Sequence, residues 1–483
     1  METAARALLA PVIDSEFLPR PRCFRHTGNL NPQPPRSKPA VSPARAAAFD
    51  ILLRVERESS YASDLLHSAA HARLSTPDHA LATELVMGVL RWRSCLDSKI
   101  ATASSQPLAK LDVEILVALR LAVYQFLWLD RVPQRAALHE SVELVKRARK
   151  RSAAPFVNAV LRKLSVAPRN STIVEDEPLS PETLARALAH PLWLVERWAR
   201  EYGSSAAHQI CQHNQSIPAT AVRLRTPAAQ EHLQQEGISL RPGGILAAAR
   251  RVVEGDITKT QAFRDREAII QDEASQLVAA LVGDGSNILD CCAAPGGKTL
   301  AMADHNPAAA ITAVELHPHR ARLLQKLLHP YASRVQVVNA DARHRPASKQ
   351  FDRVLADVPC SGTGTLARNP EIKWRLTFDD LTELHERQLA ILRAALAQVA
   401  PGGRLIYSTC SLEKEENENV VEQALSENNS IRLLHCRSEL DRLKSTGALT
   451  WPDPASLTRG PYFRTIPGIH PCDGFFAAIL EKI

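Results

Sequence analysis

Apolar and polar positions change rhythm twice along this chain. Ser42-Pro43 places a hydroxyl before a proline, which suits the first turn of a helix. Apolar residues then recur at helical spacing. Phe49, Leu52 and Leu53 share one face, and Leu85, Val86, Val89 and Leu90 another. Segments 113–129, 136–150 and 155–164 keep this period with no alternating stretch between them, which predicts an all-α domain over residues 43–166. Residues 167–180, with Pro168, Asn170, Ser171 and Pro178, interrupt the pattern as a linker. The next stretch is mixed. A helix over 192–202 carries Trp193 and Trp198, and 219–224 and 251–253 are short strand candidates, so 181–265 is expected to form a small α+β domain.

From Ala268 the rhythm becomes strand and helix in alternation. Strands are expected at 287–292, 311–315, 335–339, 351–357, 403–408, 431–436 and 475–480. The clearest helix between them is 379–399, with Leu381, Leu384, Leu389, Leu392, Leu396 and Val399 on one side. Alternation of this kind predicts a parallel, doubly wound, Rossmann-like α/β sheet over residues 266–483, with helices on both faces.

Composition narrows the class. A chain of 483 residues is long enough for about two to four domains. Its 45% hydrophobic and 23% charged content is that of soluble globular protein. No run of about 18 apolar residues suggests a bilayer-spanning helix. The net charge of +7 favours a polyanionic partner. Lys146, Arg147, Arg149, Lys150, Arg151, Arg162 and Lys163 gather against one acid, Glu143. A solubilising face is the plain alternative, but phosphate contact with RNA is favoured, with little base stacking because aromatic residues are sparse there. Nine cysteines, none in a C-x-x-C pair, argue against a disulfide framework and a zinc site, and point to a reducing cytoplasmic setting. Residues 1–42 are rich in proline and arginine, lack the pattern of a signal peptide and are expected to form a disordered extension. Nothing calls for an oligomer, so a monomer is expected.

Chemistry concentrates at the ends of the predicted strands. The first runs into Ala293-Ala-Pro-Gly-Gly-Lys-Thr299 and then a helix, a small-residue loop that lets a ligand approach the backbone. A Walker A loop fails because Cys292 stands where its first glycine belongs, and no G-x-G-x-x-G is present. S-adenosyl-L-methionine fits better. Glu315 at the second tip suits ribose hydroxyls, Asp341 after the third suits an adenine amino group, and Asp357 at the fourth would lie near the sulfonium. Each acid alone is an ordinary turn residue; their joint placement is not.

Two thiols share the same edge. Cys360 follows Asp357-Val-Pro, and Cys410 ends the next strand, where the start of a helix over 413–425 is expected to lower its pKa. Metal ligation lacks accompanying ligands, and a disulfide conflicts with the reducing setting. A two-thiol site suits methylation at carbon 5 of a pyrimidine. Addition of a thiolate at carbon 6 makes carbon 5 nucleophilic, an acid at nitrogen 3 assists, and a base must later remove the carbon 5 proton. Asp357 is placed for the nitrogen 3 contact.

Gln271-Asp-Glu-Ala-Ser-Gln276, Asp290-Cys-Cys-Ala-Ala-Pro-Gly-Gly-Lys-Thr299, Asp357-Val-Pro-Cys-Ser-Gly-Thr-Gly364, Tyr407-Ser-Thr-Cys-Ser411 and Asp473-Gly-Phe-Phe476 resemble the RNA 5-methylcytosine methyltransferases. The helical segment resembles the RNA-binding NusB domain, and the combination is similar to the RsmB/Sun/Fmu family of bacterial 16S rRNA methyltransferases. The resemblance implies a seven-stranded class I fold with an antiparallel last strand, and a base unstacked from nascent or incompletely assembled small-subunit rRNA. It implies Cys410 as nucleophile, Cys360 in product release, and Cys292, Ala293, Ala294, Pro295, Gly296, Gly297, Lys298, Glu315, Asp341 and Asp357 as the cofactor site. Two positions depart from the family. Ala367-Arg368 stands where relatives often carry two arginines, so that Arg368 is left with one RNA-facing cation missing beside it, a role that Lys373 and Arg375 are expected to share, and Glu315 stands where relatives often carry aspartate. Cys291 and Cys292 are expected to pack in the core. Action on tRNA, a non-catalytic assembly factor and a DNA methyltransferase are the competing functions; the paired thiols argue against the last two.

Overall fold

The computed structural model describes residues 41–165 and 180–483, apart from 59, 69, 72 and 345–349. The expected extension over 1–42 (save Val41 and Ser42) and the linker over 167–180 (save Ser180) lie outside the described residues. The chain divides into two compact units, with the break at Ser171/Thr172.

The first unit is helical. Pro43–Glu58, Thr76–Arg91, Arg93–Ala103, Gln134–Arg147 and Ala154–Ser165 surround Val113–Trp128. That central helix is apolar nearly all round and buried at Ile115 and from Val117 to Phe126. Its polar interruptions have partners. Arg120 donates to Asp97 at 2.7 and 2.8 Å and to Glu56 at 3.0 Å, while Gln125 accepts from Arg45 at 2.7 Å. Buried polar groups are tolerated where such bonds replace water. Ser42 does precede the first helix, but its hydroxyl donates to Glu140 at 2.7 Å, so the side chain ties two helices together.

The second unit opens with three helices, Pro181–Ala187, Leu192–Tyr202 and Ser204–Gln215. Four short strands follow: β1 (Ala221–Leu224), β2 (Ser239–Pro242), β3 (Ala249–Glu254) and β4 (Ala268–Ile270). They form an antiparallel sheet in the order β2-β3-β1-β4. The remaining strands are β5 (Asn287–Asp290), β6 (Ala310–Glu315), β7 (Val335–Asn339), β8 (Phe351–Asp357), β9 (Val399–Thr409), β10 (Ile431–Leu434), β11 (Thr458–Arg459), β12 (Tyr462–Thr465) and β13 (Phe475–Lys482).

The parallel core runs β7-β6-β5-β8-β9, and β13 pairs antiparallel with β9, as expected of the last strand. β10 lies against the far half of β13. The seven expected strands are therefore present, but the sheet holds nine among the described residues. The hairpin β11–β12 adds two on the near half of β13.

Helices cover both faces. Ile288, Ile311, Leu355, Ile406 and Ile479 meet Leu277, Leu300, Leu324 and Leu440 on one side. Leu289, Val314, Val354, Leu405, Tyr407 and Phe476 meet Leu389, Leu392, Val420 and Val421 on the other. Alternate residues of each strand supply the two layers, which is why these strands read as unbroken apolar runs.

Candidate active site

Parallel register brings the carboxyl ends of five strands into one row. In spatial order these ends carry Asp341 just past β7, Glu315 at β6, the loop after β5, Asp357 at β8 and Cys410 just past β9. Ligands bind at this edge in open α/β sheets because successive loops leave a crevice there.

The loop after β5 is shaped for close approach. Ala293 N–H donates to Val314 O at 2.8 Å, which anchors the loop to the next strand. Gly296 adopts φ +111°, and a Cβ there would lie 2.5 Å from Leu327 and 2.7 Å from Leu324, so only glycine fits. Helix Gly297–His305 follows, with its N-terminal amides turned toward the crevice edge. Glu315 is buried at 5% exposure and accepts from His317 N–H at 2.9 Å. Asp341 accepts from Arg343, whose guanidinium holds its carboxyl below the usual range. Burial pushes the Cys292 thiol well up, and the charges of Cys291, Asp290, Asp357 and Glu315 add to it. Cys292 is thus a neutral thiol within an acidic surround that suits a cationic ligand.

Lys298 crosses from this loop to the next strand end. Its ammonium donates to Asp357 Oδ2 at 2.6 Å and stands 5.2 Å from the centre of the Phe475 ring. Burial works against its charge, but Asp357 and then Cys410 outweigh burial and hold its pKa above the ordinary value. The other Asp357 oxygen accepts from Ser408 Oγ at 2.7 Å. Both oxygens are therefore engaged as acceptors.

Beside this pair the two sulfurs of Cys360 and Cys410 lie 3.1 Å apart, both as free thiols, and Cys410 N–H donates to Cys360 Sγ at 3.3 Å. The Cys360 thiol is pushed well above its ordinary value, first by its hydrogen bond with Cys410, then by burial and by the charge of Glu416. The helix expected to start beside Cys410 begins instead at Glu418, after a short turn Lys414–Glu416. The charge of Lys298 interacts with Cys410.

A row of strand-end acids, a small-residue loop and two apposed thiols form the arrangement that the motifs suggested. A model of the 16S rRNA methyltransferase RsmB/F family matches residues 279–481, and one of the NusB family matches residues 42–165. A protein of Bacillus subtilis described as a probable ribosomal RNA small subunit methyltransferase B is 34% identical over 396 residues, covering 79% of this chain and 88% of that one. The ribosomal RNA small subunit methyltransferase B of Vibrio cholerae is 30% identical, with 91% and 97% covered. The chain belongs to the RsmB/F methyltransferase family. Among solved structures, PH0851 shares the fold with a TM-score of 0.73 at 23% identity, over 91% of this chain and 97% of that one. A methyltransferase homolog protein from Pyrococcus horikoshii aligns with a TM-score of 0.52 at 25% identity, over 63% of this chain and 100% of that one. As an RsmB/F protein the chain is an S-adenosylmethionine-dependent methyltransferase.

Several residues around this methyltransferase centre escape the sequence pattern. Glu416 is fully buried and accepts from Ser361 N–H at 2.7 Å, Ser361 Oγ at 2.5 Å, Gln388 Nε2 at 2.9 Å and Ser411 Oγ. Asp290, also buried, accepts from Thr299 Oγ1 at 2.6 Å. Ser361 and Ser411 each follow a key cysteine, a signal that could have marked them. Nothing in the acidic run 413–418 separates Glu416 from its neighbours.

The expected RNA contacts divide. Lys146 pairs with Glu143, Arg147 with Asp50 and Lys150 with Asp112, while Arg149 and Arg151 are exposed without such partners among the described residues. One target-loop expectation is corrected. Lys373 is only 1% exposed, stands 5.0 Å from the Trp374 ring and presents no cation to solvent. Arg368 turns its guanidinium to Asp473 at 2.8 Å and Asp272 at 3.3 Å, with its side chain 31% exposed.

Proposed function

We propose that this RsmB/F methyltransferase transfers a methyl group to carbon 5 of a cytosine in small-subunit (16S) rRNA through a covalent adduct at Cys410. The observation that supports this most is the 3.1 Å approach of two free thiols at adjacent strand ends, beside a lysine–carboxylate pair. A single nucleophile would need only one sulfur. Two in contact suit a reaction that both makes and breaks a carbon–sulfur bond.

S-adenosylmethionine, when bound, supplies an electrophilic methyl group. The backbone of Cys292, Ala293, Ala294, Pro295, Gly296, Gly297 and Lys298, with the carboxylates of Glu315, Asp341 and Asp357, would hold it. The chain does the rest. Cys410 adds as thiolate to carbon 6, favoured by the Lys298 charge, and the electron pair of the 5,6 double bond takes the methyl group at carbon 5. The Asp357–Lys298 pair makes the polar contact at the nitrogen 3 edge, with the ammonium carrying the proton. Once the Cys410 sulfur is bonded to carbon, the interaction that most strongly keeps the proton on Cys360 is gone. Cys360 then releases that proton to solvent and removes the hydrogen of carbon 5 as a proton. The freed pair restores the double bond, the carbon 6–sulfur bond breaks, and Cys410 leaves as thiolate. One proton is released per methyl group.

Incubation with methyl-labelled cofactor and small-subunit rRNA tests this. Cys410→Ala should form no denaturant-stable complex with RNA, whereas Cys360→Ala should accumulate one and turn over at least 100-fold more slowly. The reverse pattern would exchange the two roles. Absence of methylation by the unaltered protein would contradict the activity.

A further inference from the structure

Glu416 is a buried acidic group beside the thiol pair that the mechanism above leaves unused. Its carboxylate accepts hydrogen bonds from four directions, and the donors belong to both cysteine loops. Ser361 gives its N–H at 2.7 Å and its hydroxyl at 2.5 Å, and Ser411 gives its hydroxyl. The two hydroxyls lie 3.1 Å apart, so the residue after each cysteine meets the other across the same carboxylate. Gln388, on helix Phe378–Leu396, donates one amide hydrogen toward Glu416 at 2.9 Å and one toward Pro359 O at 3.0 Å. The main chain is held as well, since Tyr407 hydroxyl donates to Glu416 O at 2.6 Å. Thr363 Oγ1 closes the ring by accepting from Leu412 N–H at 2.9 Å. Four donors and full burial describe a carboxyl group used as an acceptor.

We propose that Glu416 is the positioning residue of the two-thiol centre: its carboxylate buckles the Cys360 and Cys410 loops at contact distance and sets a negative charge beside Cys360. The inference rests on the two-cysteine reading above and adds to it an electrostatic asymmetry. The negative charge of Glu416 acts on Cys360, while the positive charge of Lys298 acts on Cys410. The two sulfurs thus lie beside charges of opposite sign. The titratable groups coupled to Glu416 are Cys360, Glu413 and Tyr407. Glu413 is turned away to Arg197 at 2.8 Å and Trp198 at 3.1 Å, and His385, on the same helix as Gln388, is turned to Glu415 O and Gln423. Cys360 therefore faces Cys410, Glu416 and the Tyr407 hydroxyl, whose pKa burial raises well above its ordinary value, and removing Cys410 leaves the carboxylate as the charge to be tested.

The test follows alkylation of Cys360 by iodoacetamide against pH, read by peptide mass spectrometry, in Cys410→Ala and in Cys410→Ala with Glu416→Gln. Loss of a nearby like charge should lower the midpoint by about one pH unit. In the otherwise unaltered enzyme, Glu416→Gln should slow release, so that a denaturant-stable RNA complex builds up as with Cys360→Ala. Glu416→Asp keeps the charge on a shorter arm. It should leave the alkylation midpoint in place while slowing methyl transfer at least tenfold, and this holds whether or not the glutamine variant folds. A midpoint unmoved by Glu416→Gln, or one that Glu416→Asp lowers as far as the amide would, overturns the proposal. The alkylation profile needs no RNA and no turnover, so it fails or succeeds independently of the assigned reaction.

Discussion

At the residue scale, the legible groups are those whose chemistry the backbone pattern exposes. Asp357, Cys360 and Cys410 stand at the ends of apolar runs, and a residue at such an end faces the ligand edge whatever the rest of the fold does. Asp290 and Glu416 were not legible, because their roles come from burial, which only packing creates. Asp290 illustrates the consequence. Burial, partly offset by the Thr299 hydrogen bond and reinforced by the Asp357 charge, raises its carboxyl from 3.8 to about 6. The folded state thus binds this proton more tightly than the unfolded chain does. The contribution is fully stabilising below pH 3.8 and is lost as pH rises through about 6. Asp290→Asn should remove this dependence and gain up to about 3 kcal/mol over the parent above pH 6, measured by urea unfolding at pH 4.5 and 7.5. Equal pH dependence in the two proteins would contradict it. Lys373 shows the opposite failure: a lysine in a basic-looking loop reads as exposed, yet its side chain is almost wholly buried.

At the element scale, buried parallel strands were found nearly to the residue because both faces demand apolar side chains. β8 was expected at 351–357 and spans Phe351–Asp357. The short strands β2 and β4 were missed. β2 is largely exposed and ends at Pro242, so neither alternation nor β-branching marks it. The helix after Cys410 was placed five residues early because Glu413, Glu416 and Asn417 look like an exposed polar turn of helix, whereas all three are buried in the loop clamp. Helix Leu192–Tyr202 braces that clamp. Trp198, 1% exposed, packs beneath it and donates to Glu413 at 3.1 Å. Trp198→Ala should cost about 3–5 kcal/mol in urea unfolding, and it should lower methyl transfer more than cofactor binding. A cost below about 1 kcal/mol would show that the helix does not hold the loop.

At the scale of the whole molecule, the end of the purely helical period near residue 166 lies close to the break between the chain's two compact units, whereas the boundary expected at 265/266 falls inside the second unit. The residue pattern could not tell which cations are spent internally. Of the basic cluster, Lys163 is exposed but donates to Ala103 O at 3.2 Å, and the arginines Arg149, Arg151 and Arg162 are exposed and free of ion pairs among the described residues. Replacing all three with glutamate should weaken RNA binding and lower the slope of log affinity against log salt by about 2 to 3, with cofactor affinity unchanged. An unchanged slope would remove this face from the RNA interface. The central claim, that Cys410 carries the substrate while Cys360 clears it, has a more direct measurement. Small-subunit rRNA transcribed with 5-fluorocytidine presents a carbon 5 whose fluorine cannot leave as a proton, so methyl transfer should trap the adduct. After incubation with the cofactor, protease and nuclease digestion and peptide mass spectrometry locate the bound nucleotide. A nucleotide on the peptide containing Cys410 is the predicted result; one on the peptide containing Cys360 would contradict it.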